Sequence, residues 1–393
     1  MNIERLLAPR TRLMGASAIR EILKVVSQPG IVSLAGGIPA PESFPMELMG
    51  TLAERVLSRY GSRSLQYDRT EGFEPLQEAL AARLALRGIA ASARSVLVTS
   101  GSQGTLDAVG KLLIAPGDAV AVEAPTYLGA LQAWNPYEPR YLTVETDDDG
   151  AVPESLDRVL SRERVKFVYL VPTFQNPTGR TLPLDRRRSI AQILQRHEAL
   201  LVEDDPYSDL RYRGTPLPPI QSLAPDNVVY TSTLSKTLAP GLRIGFAIAP
   251  APLDRWLVIV KQGVDLHTST FGQAMAAEYL SGGHLDRHLP RILDLYRPRQ
   301  EAMLSALARH LEHGFHWSRP EGGMFIWVEG PAGLDTVAMA PACIRRGVAY
   351  VPGTFFYPGE GQGLATMRLN YTMADAATIE SAIKTLSEVL RLD

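Results

Sequence analysis

The chain has 393 residues, 45% of them apolar and 21% charged, with a net charge of −2 and one cysteine. That length suits two domains or one large domain with a smaller lobe. The charge balance leaves no electrostatic footprint for nucleic acid or an anionic membrane. A single cysteine, Cys343, excludes an intrachain disulfide and a cysteine metal cluster, and it reads as a small buried apolar residue. No stretch approaches the ~18 uninterrupted apolar residues of a membrane helix, and the first residues lack a secretory apolar core. A cytoplasmic protein is expected.

Residues 1–45, with the proline-rich Ile38-Pro39-Ala40-Pro41, read as an arm. Ser95–Thr99 reads as a strand leading through Ser100-Gly101-Ser102-Gln103-Gly104 into a helix over Thr105–Ile114, whose apolar side chains fall at helical spacing. Short apolar runs then alternate with helical segments: Ala119–Val122, Lys166–Val171, Leu200–Val202, Val228–Tyr230 and Ile244–Ile248. This is the pattern of an α/β domain with a mostly parallel sheet covered by helices on both faces. After about residue 285 the texture changes to a long helix over Leu285–Leu311, short strands over 322–328, 348–351 and 367–369, and a terminal helix over 374–390. The expected division is an arm over 1–45 joining a small α+β domain over 285–393, with a large ligand-binding domain over 46–284.

The loops Ser100–Gly104, Ala124–Tyr127, Pro172–Gly179, Asp204–Tyr207 and Thr231–Lys236 all follow predicted strands. Ligands bind outside the carboxyl ends of strands in open α/β sheets, so these loops are expected to converge. Their side chains suit one kind of ligand. Lys236 can form a Schiff base with an aldehyde, while Thr233, Ser235 and Arg243 can hold a phosphate. Ser102 and Gln103 open a helix whose amides favour an anion, although ordinary helix capping reads equally well. Asp204 can pair with a protonated pyridine nitrogen, with Tyr207 three residues on, although an acidic turn or a divalent-metal site fits the same run. Asn176 can donate to a ring oxygen, and Tyr127 offers an aromatic face that is otherwise a core aromatic. Arg368, within an apolar strand, must be paired or project into a cavity, where it could receive a carboxylate.

The ordered set Asn176-Pro177-Thr178-Gly179, Asp204-x-x-Tyr207, Ser235-Lys236 with Arg243, and Arg368 resembles the fold type I pyridoxal phosphate aminotransferases of class I/II. Within that class, Ala18-Ile19-Arg20-Glu21, Ser33-Leu34-Ala35-Gly36-Gly37-Ile38-Pro39, Leu65-Gln66-Tyr67, Thr70-Glu71-Gly72, Pro125-Thr126-Tyr127 and Ala239-Pro240-Gly241-Leu242-Arg243 look most like the 2-aminoadipate and kynurenine aminotransferases.

The resemblance implies a pyridoxal 5′-phosphate cofactor; no metal is expected, because the histidines show no metal spacing and no second acidic cluster stands out. Lys236 would hold the cofactor as a Schiff base and carry the proton between Cα and C4′. Asp204 would pair with the ring nitrogen, Asn176 and Tyr207 with the ring oxygen, and Tyr127 would stack on the ring. Ser102, Gln103, Thr233, Ser235 and Arg243 would hold the phosphate. Arg20, Gly37, Tyr67, Asn176 and Arg368 would face the substrate, with Tyr67 reaching the neighbouring site of a homodimer. Arg20 would meet an acidic side chain, giving amino transfer from a 2-aminoadipate- or glutamate-like donor to 2-oxoglutarate, with room for aromatic or aliphatic chains. Alternatives on the same fold are an aromatic, branched-chain or kynurenine aminotransferase, a β-lyase or a decarboxylase. A cofactor-binding sensor is a further one, against which the chain's start near the arm counts. The sequence departs mildly from the family at Thr233, where serine is frequent, and at Pro206, where a small residue is usual. Arg186-Arg187-Arg188 reads as a solvated helix face, Asp147-Asp148-Asp149-Gly150 as a turn, and Gly359-Glu360-Gly361-Gln362-Gly363 as a loop.

Overall fold

The computed structural model describes residues 1–14, 30–311 and 314–390. Its strands in chain order are β1 (Val32–Ser33), β2 (Leu97–Ser100), β3 (Ala119–Glu123), β4 (Arg140–Val144), β5 (Thr146–Asp147), β6 (Gly150–Ala151), β7 (Val168–Leu170), β8 (Leu201–Asp204), β9 (Val228–Thr233) and β10 (Ile244–Ile248). They continue with β11 (His316–Trp317), β12 (Phe325–Glu329), β13 (Val348–Ala349), β14 (Val351–Pro352) and β15 (Thr366–Asn370).

Seven strands form the central sheet in the order β2-β10-β9-β8-β7-β3-β4. Neighbouring strands run parallel except at β10, which is antiparallel to both β2 and β9. The reversal follows from chain length, because only Leu234–Arg243 separates β9 from β10 and no crossover helix fits there. Its consequence is that Arg243, at the start of β10, lies at the same sheet edge as the carboxyl ends of the other strands.

Alternation along the strands supplies both faces of this sheet. Val120, Val122, Tyr169, Val171, Val202 and Val229 pack with Leu106, Val109 and Leu257 of the helices Ser102–Leu113 and Leu253–Asp265. Ala121, Val168, Leu170, Leu201 and Val228 pack on the opposite side with Leu156, Ile190 and Leu194, from the helices Pro153–Arg162 and Leu184–Arg196. Burial on both faces explains why the strands read as unbroken apolar runs. It also sorts the acids Glu203, Asp204 and Asp205. Glu203 turns to the second side and accepts from the Ile220 and Gln221 amides, whereas Asp204 shares the first side with Val202.

A four-stranded antiparallel sheet, β11-β12-β15-β14, occupies the C-terminal third. The long helix His284–His310 packs beside Ala376–Leu390 through Ile292, Met303 and Leu307 against Ile379, Ile383 and Leu386. The run expected as one strand over 348–351 is divided: Val348–Ala349 pairs with β1 in a separate parallel pair, and Val351–Pro352 joins β15. The segment leading into residues 34–37 is thereby tied to the C-terminal third. The edge strand Arg140–Val144 was not anticipated; its faces are mostly half-exposed, so it lacks the apolar run of its neighbours.

The expected solvated helix face is also overturned. Within Arg186-Arg187-Arg188 only Arg188 is exposed, and Arg187 is completely buried. Its Nε donates to the Leu182 carbonyl, Nη1 to Pro218, and Nη2 to the Pro172 carbonyl and Thr173 hydroxyl. Arg186 is half-buried and pairs with Asp147 of the β5–β6 hairpin, where the expected turn lies. Cys343 is a buried free thiol.

Candidate active site

The carboxyl-edge loops enclose a cavity of about 280 Å³. Every sequence-derived cofactor residue lines it: Ser102, Gln103, Tyr127, Asn176, Asp204, Tyr207, Thr233, Ser235, Lys236 and Arg243, together with the substrate candidates Gly37 and Arg368. Tyr67 is not among the lining residues; its side chain is 76% exposed, with its ring edge-on to His267 at 5.6 Å. Arg20 lies outside the described residues.

Close backbone packing shapes one wall. Gly101, with φ of +77°, precedes the helix Ser102–Leu113 and gives it no side-chain cap. A Cβ on Gly101 would collide with the Arg243 guanidinium, and a Cβ on Gly245 would collide with the Gly101 backbone. The two glycines thus allow β10 and its arginine to lie against the helix start. Arg243 itself adopts a left-handed backbone (φ +55°), a strained conformation that marks functional loops, and donates to the Ser100 carbonyl at 3.1 Å. The Thr233 and Ser235 hydroxyls meet at 2.8 Å beside it, and Thr233 also donates to the Ile244 carbonyl. Gln103 donates its side-chain amide to the Gly129 carbonyl, so its contribution to an anion is its backbone amide in the first helical turn. A helix N-terminus, two hydroxyls and a guanidinium make a site for a phosphate dianion.

Lys236 Nζ donates to the Gly37 carbonyl at 2.9 Å. Burial, helped by the cations Arg368 and Arg243, lowers its pKa to about 8, so a neutral, nucleophilic amine is accessible near neutral pH. Arg368 also reaches the arm segment. Its Nη1 donates to Asn176 Oδ1 at 2.9 Å and its Nη2 to the Ala35 carbonyl at 2.7 Å, while the guanidinium stacks over Phe325 at 4.3 Å. Burial lowers its pKa to about 10. Asn176 Nδ2 in turn donates to the Tyr207 hydroxyl at 3.4 Å. Burial pushes the Tyr127 phenol up to about 12 and raises the Tyr207 phenol too, so both are hydrogen-bond donors at neutral pH.

Asp204 is 2% exposed. Its Oδ2 accepts from the Tyr169 hydroxyl at 2.9 Å, and its Oδ1 has no partner among the described residues. Burial raises its pKa to about 7, against the Tyr169 hydrogen bond, with a further push from Asp205. A buried carboxylate oxygen without a donor is costly unless a cation meets it. Oδ1 at a cavity wall is suited to a protonated ring nitrogen, and with the phosphate cradle and the lysine the residues fit pyridoxal phosphate.

Sequence reasoning missed Ile38 and Val171 as lining residues and Tyr169 as the partner of Asp204. Tyr169 sits inside an apolar run and carried no signal beyond an ordinary core aromatic; the alternation that aligns it with Asp204 becomes visible only once the strands are paired.

A family model described as aminotransferase class I and II matches residues 51–386. The chain is 43% identical to the aromatic-amino-acid aminotransferase 1 of Thermococcus litoralis, covering 100% of this chain and 95% of that one. The solved kynurenine aminotransferase of Pyrococcus horikoshii, in complex with PMP, superposes with a TM-score of 0.95 at 44% identity, covering 99% and 98% of the two chains. The α-aminoadipate aminotransferase of Thermus thermophilus, complexed with N-(5′-phosphopyridoxyl)-L-leucine, gives 0.92 at 38% identity over 99% and 98%. Fold, cavity and relatives agree: the chain belongs to the class I and II aminotransferases and is a pyridoxal phosphate-dependent enzyme of fold type I.

Proposed function

We propose that this aminotransferase moves the amino group of an acidic L-amino acid, 2-aminoadipate- or glutamate-like, to 2-oxoglutarate, and that Arg368 receives the α-carboxylate of both partners. The observation that carries the α-carboxylate assignment, and with it an amino acid substrate, is Arg368 itself. It is a fully buried guanidinium with no carboxylate partner among the described residues, and its Nε has no acceptor. A buried cation in that condition suits an anionic ligand that brings the missing charge.

The roles of the other residues follow from their donors. Ser102 and Gln103 amides, the Thr233 and Ser235 hydroxyls and Arg243 would hold the cofactor phosphate; Asp204 would pair with the ring nitrogen, Asn176 and Tyr207 with the ring oxygen, and Tyr127 with the ring face. When bound, pyridoxal phosphate supplies an aldehyde carbon that condenses with amines and a protonated ring that takes up electrons released at the substrate Cα. Lys236 holds the proton that leaves Cα, and its lowered pKa matches it to that task. Asn176 keeps Arg368 in line for the substrate carboxylate, while Phe325 limits the guanidinium's swing. Gly37 brings its carbonyl to Lys236 and leaves space beside Arg368 Nη1.

Arg20 supports the acidic side-chain preference by its place in the family-like sequence. Ile38, 47% exposed at the cavity, supports acceptance of aromatic and aliphatic chains as well, in keeping with the substrates named for the relatives. Residues 46–284 would act as the cofactor domain, with 1–45 and 285–393 as the lobe that carries Arg368. The assembly would be a cytoplasmic homodimer in which Tyr67 reaches the other site. Exposed Leu65 and Leu266, flanking Tyr67 and His267 in sequence, add apolar surface where that contact would form.

The test is a donor panel with 2-oxoglutarate, read by absorbance of the bound cofactor. 2-Aminoadipate and glutamate should convert it, and 2-oxoglutarate should restore it. Lys236→Ala should remove the visible band of covalently held cofactor and lower kcat by roughly 10⁴-fold. Failure of both acidic donors alongside rapid turnover of aromatic ones would replace the acidic reading with the aromatic one.

A further inference from the structure

The proposed cofactor role of Asp204 leaves open what makes this carboxylate a suitable ring partner, since burial alone drives it toward the neutral form. The answer lies on the neighbouring strand. In the parallel pairing of β7 and β8, Tyr169 stands opposite Val202, so Asp204, two residues further along the same face, is its diagonal neighbour. Diagonal neighbours lie roughly 7–8 Å apart at the backbone, within reach of a tyrosine but beyond a short side chain. The Tyr169 hydroxyl closes that distance and donates to Oδ2 at 2.9 Å.

The ring that carries this hydroxyl is fixed. Tyr169 is fully buried and meets Trp134 edge-on at 5.1 Å, and Trp134 is tied through its indole N–H to the Leu106 carbonyl at 2.8 Å. Leu106 belongs to the helix Ser102–Leu113 whose first turn opens the cavity, so one chain of contacts joins the phosphate cradle to the acid. With Oδ2 occupied, Oδ1 is the oxygen left for a ligand.

We propose that Tyr169 is a positioning residue for cofactor binding: its hydroxyl, clamped by Trp134, fixes the Asp204 carboxylate with Oδ1 presented to the pyridine nitrogen and keeps it anionic. A hydrogen bond donated to a carboxylate favours its charged form, and a neutral Asp204 would not hold the ring nitrogen protonated. The inference rests on the assignment of Asp204 to the ring nitrogen, and the experiment separates the two.

Pyridoxal 5′-phosphate is titrated into the apoenzyme of the wild type, Tyr169→Phe, Asp204→Asn and the double variant, and the pH midpoint of the bound cofactor's visible band is recorded for each. Phenylalanine keeps the ring against Trp134; Tyr169→Met, which lacks the donor but fills a core position, provides the same test should the first variant fold poorly. Tyr169→Phe should weaken cofactor binding about tenfold and move the midpoint upward, as expected for loss of one charge-assisted hydrogen bond. It should have no further effect in the Asp204→Asn background. If Asp204→Asn weakens binding while Tyr169→Phe leaves both the affinity and the midpoint unchanged, the positioning role is overturned. If Asp204→Asn itself leaves both unchanged, the ring-nitrogen assignment fails and the proposal with it.

Discussion

Arg187 and Arg368 are buried to within 1% of complete exclusion from solvent, yet their surroundings differ in kind. Around Arg187, Nε, Nη1 and Nη2 all have acceptors fixed by the fold, four in total, and Glu203 and Asp205 lie close enough to favour its charge. Around Arg368 the two acceptors are neutral, and among the described residues Nε has none and no carboxylate offsets the burial that lowers its pKa. A buried charge saturated by the protein serves the fold. A buried charge left short of partners is a candidate for binding a ligand.

The sharpest break of this comparison is a pair of leucine variants. Arg187→Leu strands the Pro172, Leu182 and Pro218 carbonyls and should cost about 3–5 kcal/mol of stability, read from denaturant midpoints. Arg368→Leu should change stability by no more than about 1 kcal/mol, because leucine removes an uncompensated charge. Its kcat/KM for amino acids should instead fall by about 10²–10³-fold. Similar stability losses in both variants would erase the distinction.

The contrast extends to the other ionisable groups and gives it a pH signature. Lys261 is buried beside Asp265 at 2.5 Å, whereas among the described residues Lys236 Nζ meets only the Gly37 carbonyl. In the apoenzyme Lys236 releases its proton near pH 8 and the unfolded chain holds it to 10.5, so the unfolded state binds more protons in between and stability should rise with pH across that window. Lys236→Met should remove that rise. Asp204 has the opposite sign: its folded pKa of about 7 lies above 3.8, so its contribution to stability falls as pH climbs between those values, and Asp204→Asn should flatten that fall. Melting curves of apoenzyme from pH 4 to 10 test both slopes.

The smallest effect concerns Arg20, which on the proposed reading is a further cation reserved for ligand. Arg20→Ala should raise KM for 2-aminoadipate about tenfold and barely alter KM for leucine. Equal changes for both would remove Arg20 from substrate recognition.

Much of the candidate site was legible as a cavity because the residues proposed to hold the cofactor sit in loops at strand ends, where short polar runs interrupt apolar ones. Ser100–Gln103, Asn176–Gly179, Asp204–Tyr207 and Thr233–Lys236 each announce themselves locally, and parallel topology brings them together. Two things were hidden for a common reason. The division of 348–351 between two sheets and the partnership of Tyr169 with Asp204 both depend on which strands pair, a long-range property without a local signal. Arg187 misled differently. Three consecutive arginines look solvated, but on a helix they point in different directions, and the middle one faces inward.

The central claim, that Arg368 is held for a substrate carboxylate, is tested most directly by comparing an amino acid with the amine it becomes on loss of CO₂. kcat/KM for both would be measured in the wild type and in Arg368→Leu, using glutamate and 4-aminobutyrate. The account predicts a strong wild-type preference for glutamate that shrinks by about 10²-fold or more in the variant. An undiminished preference in a folded, cofactor-loaded Arg368→Leu enzyme would contradict it.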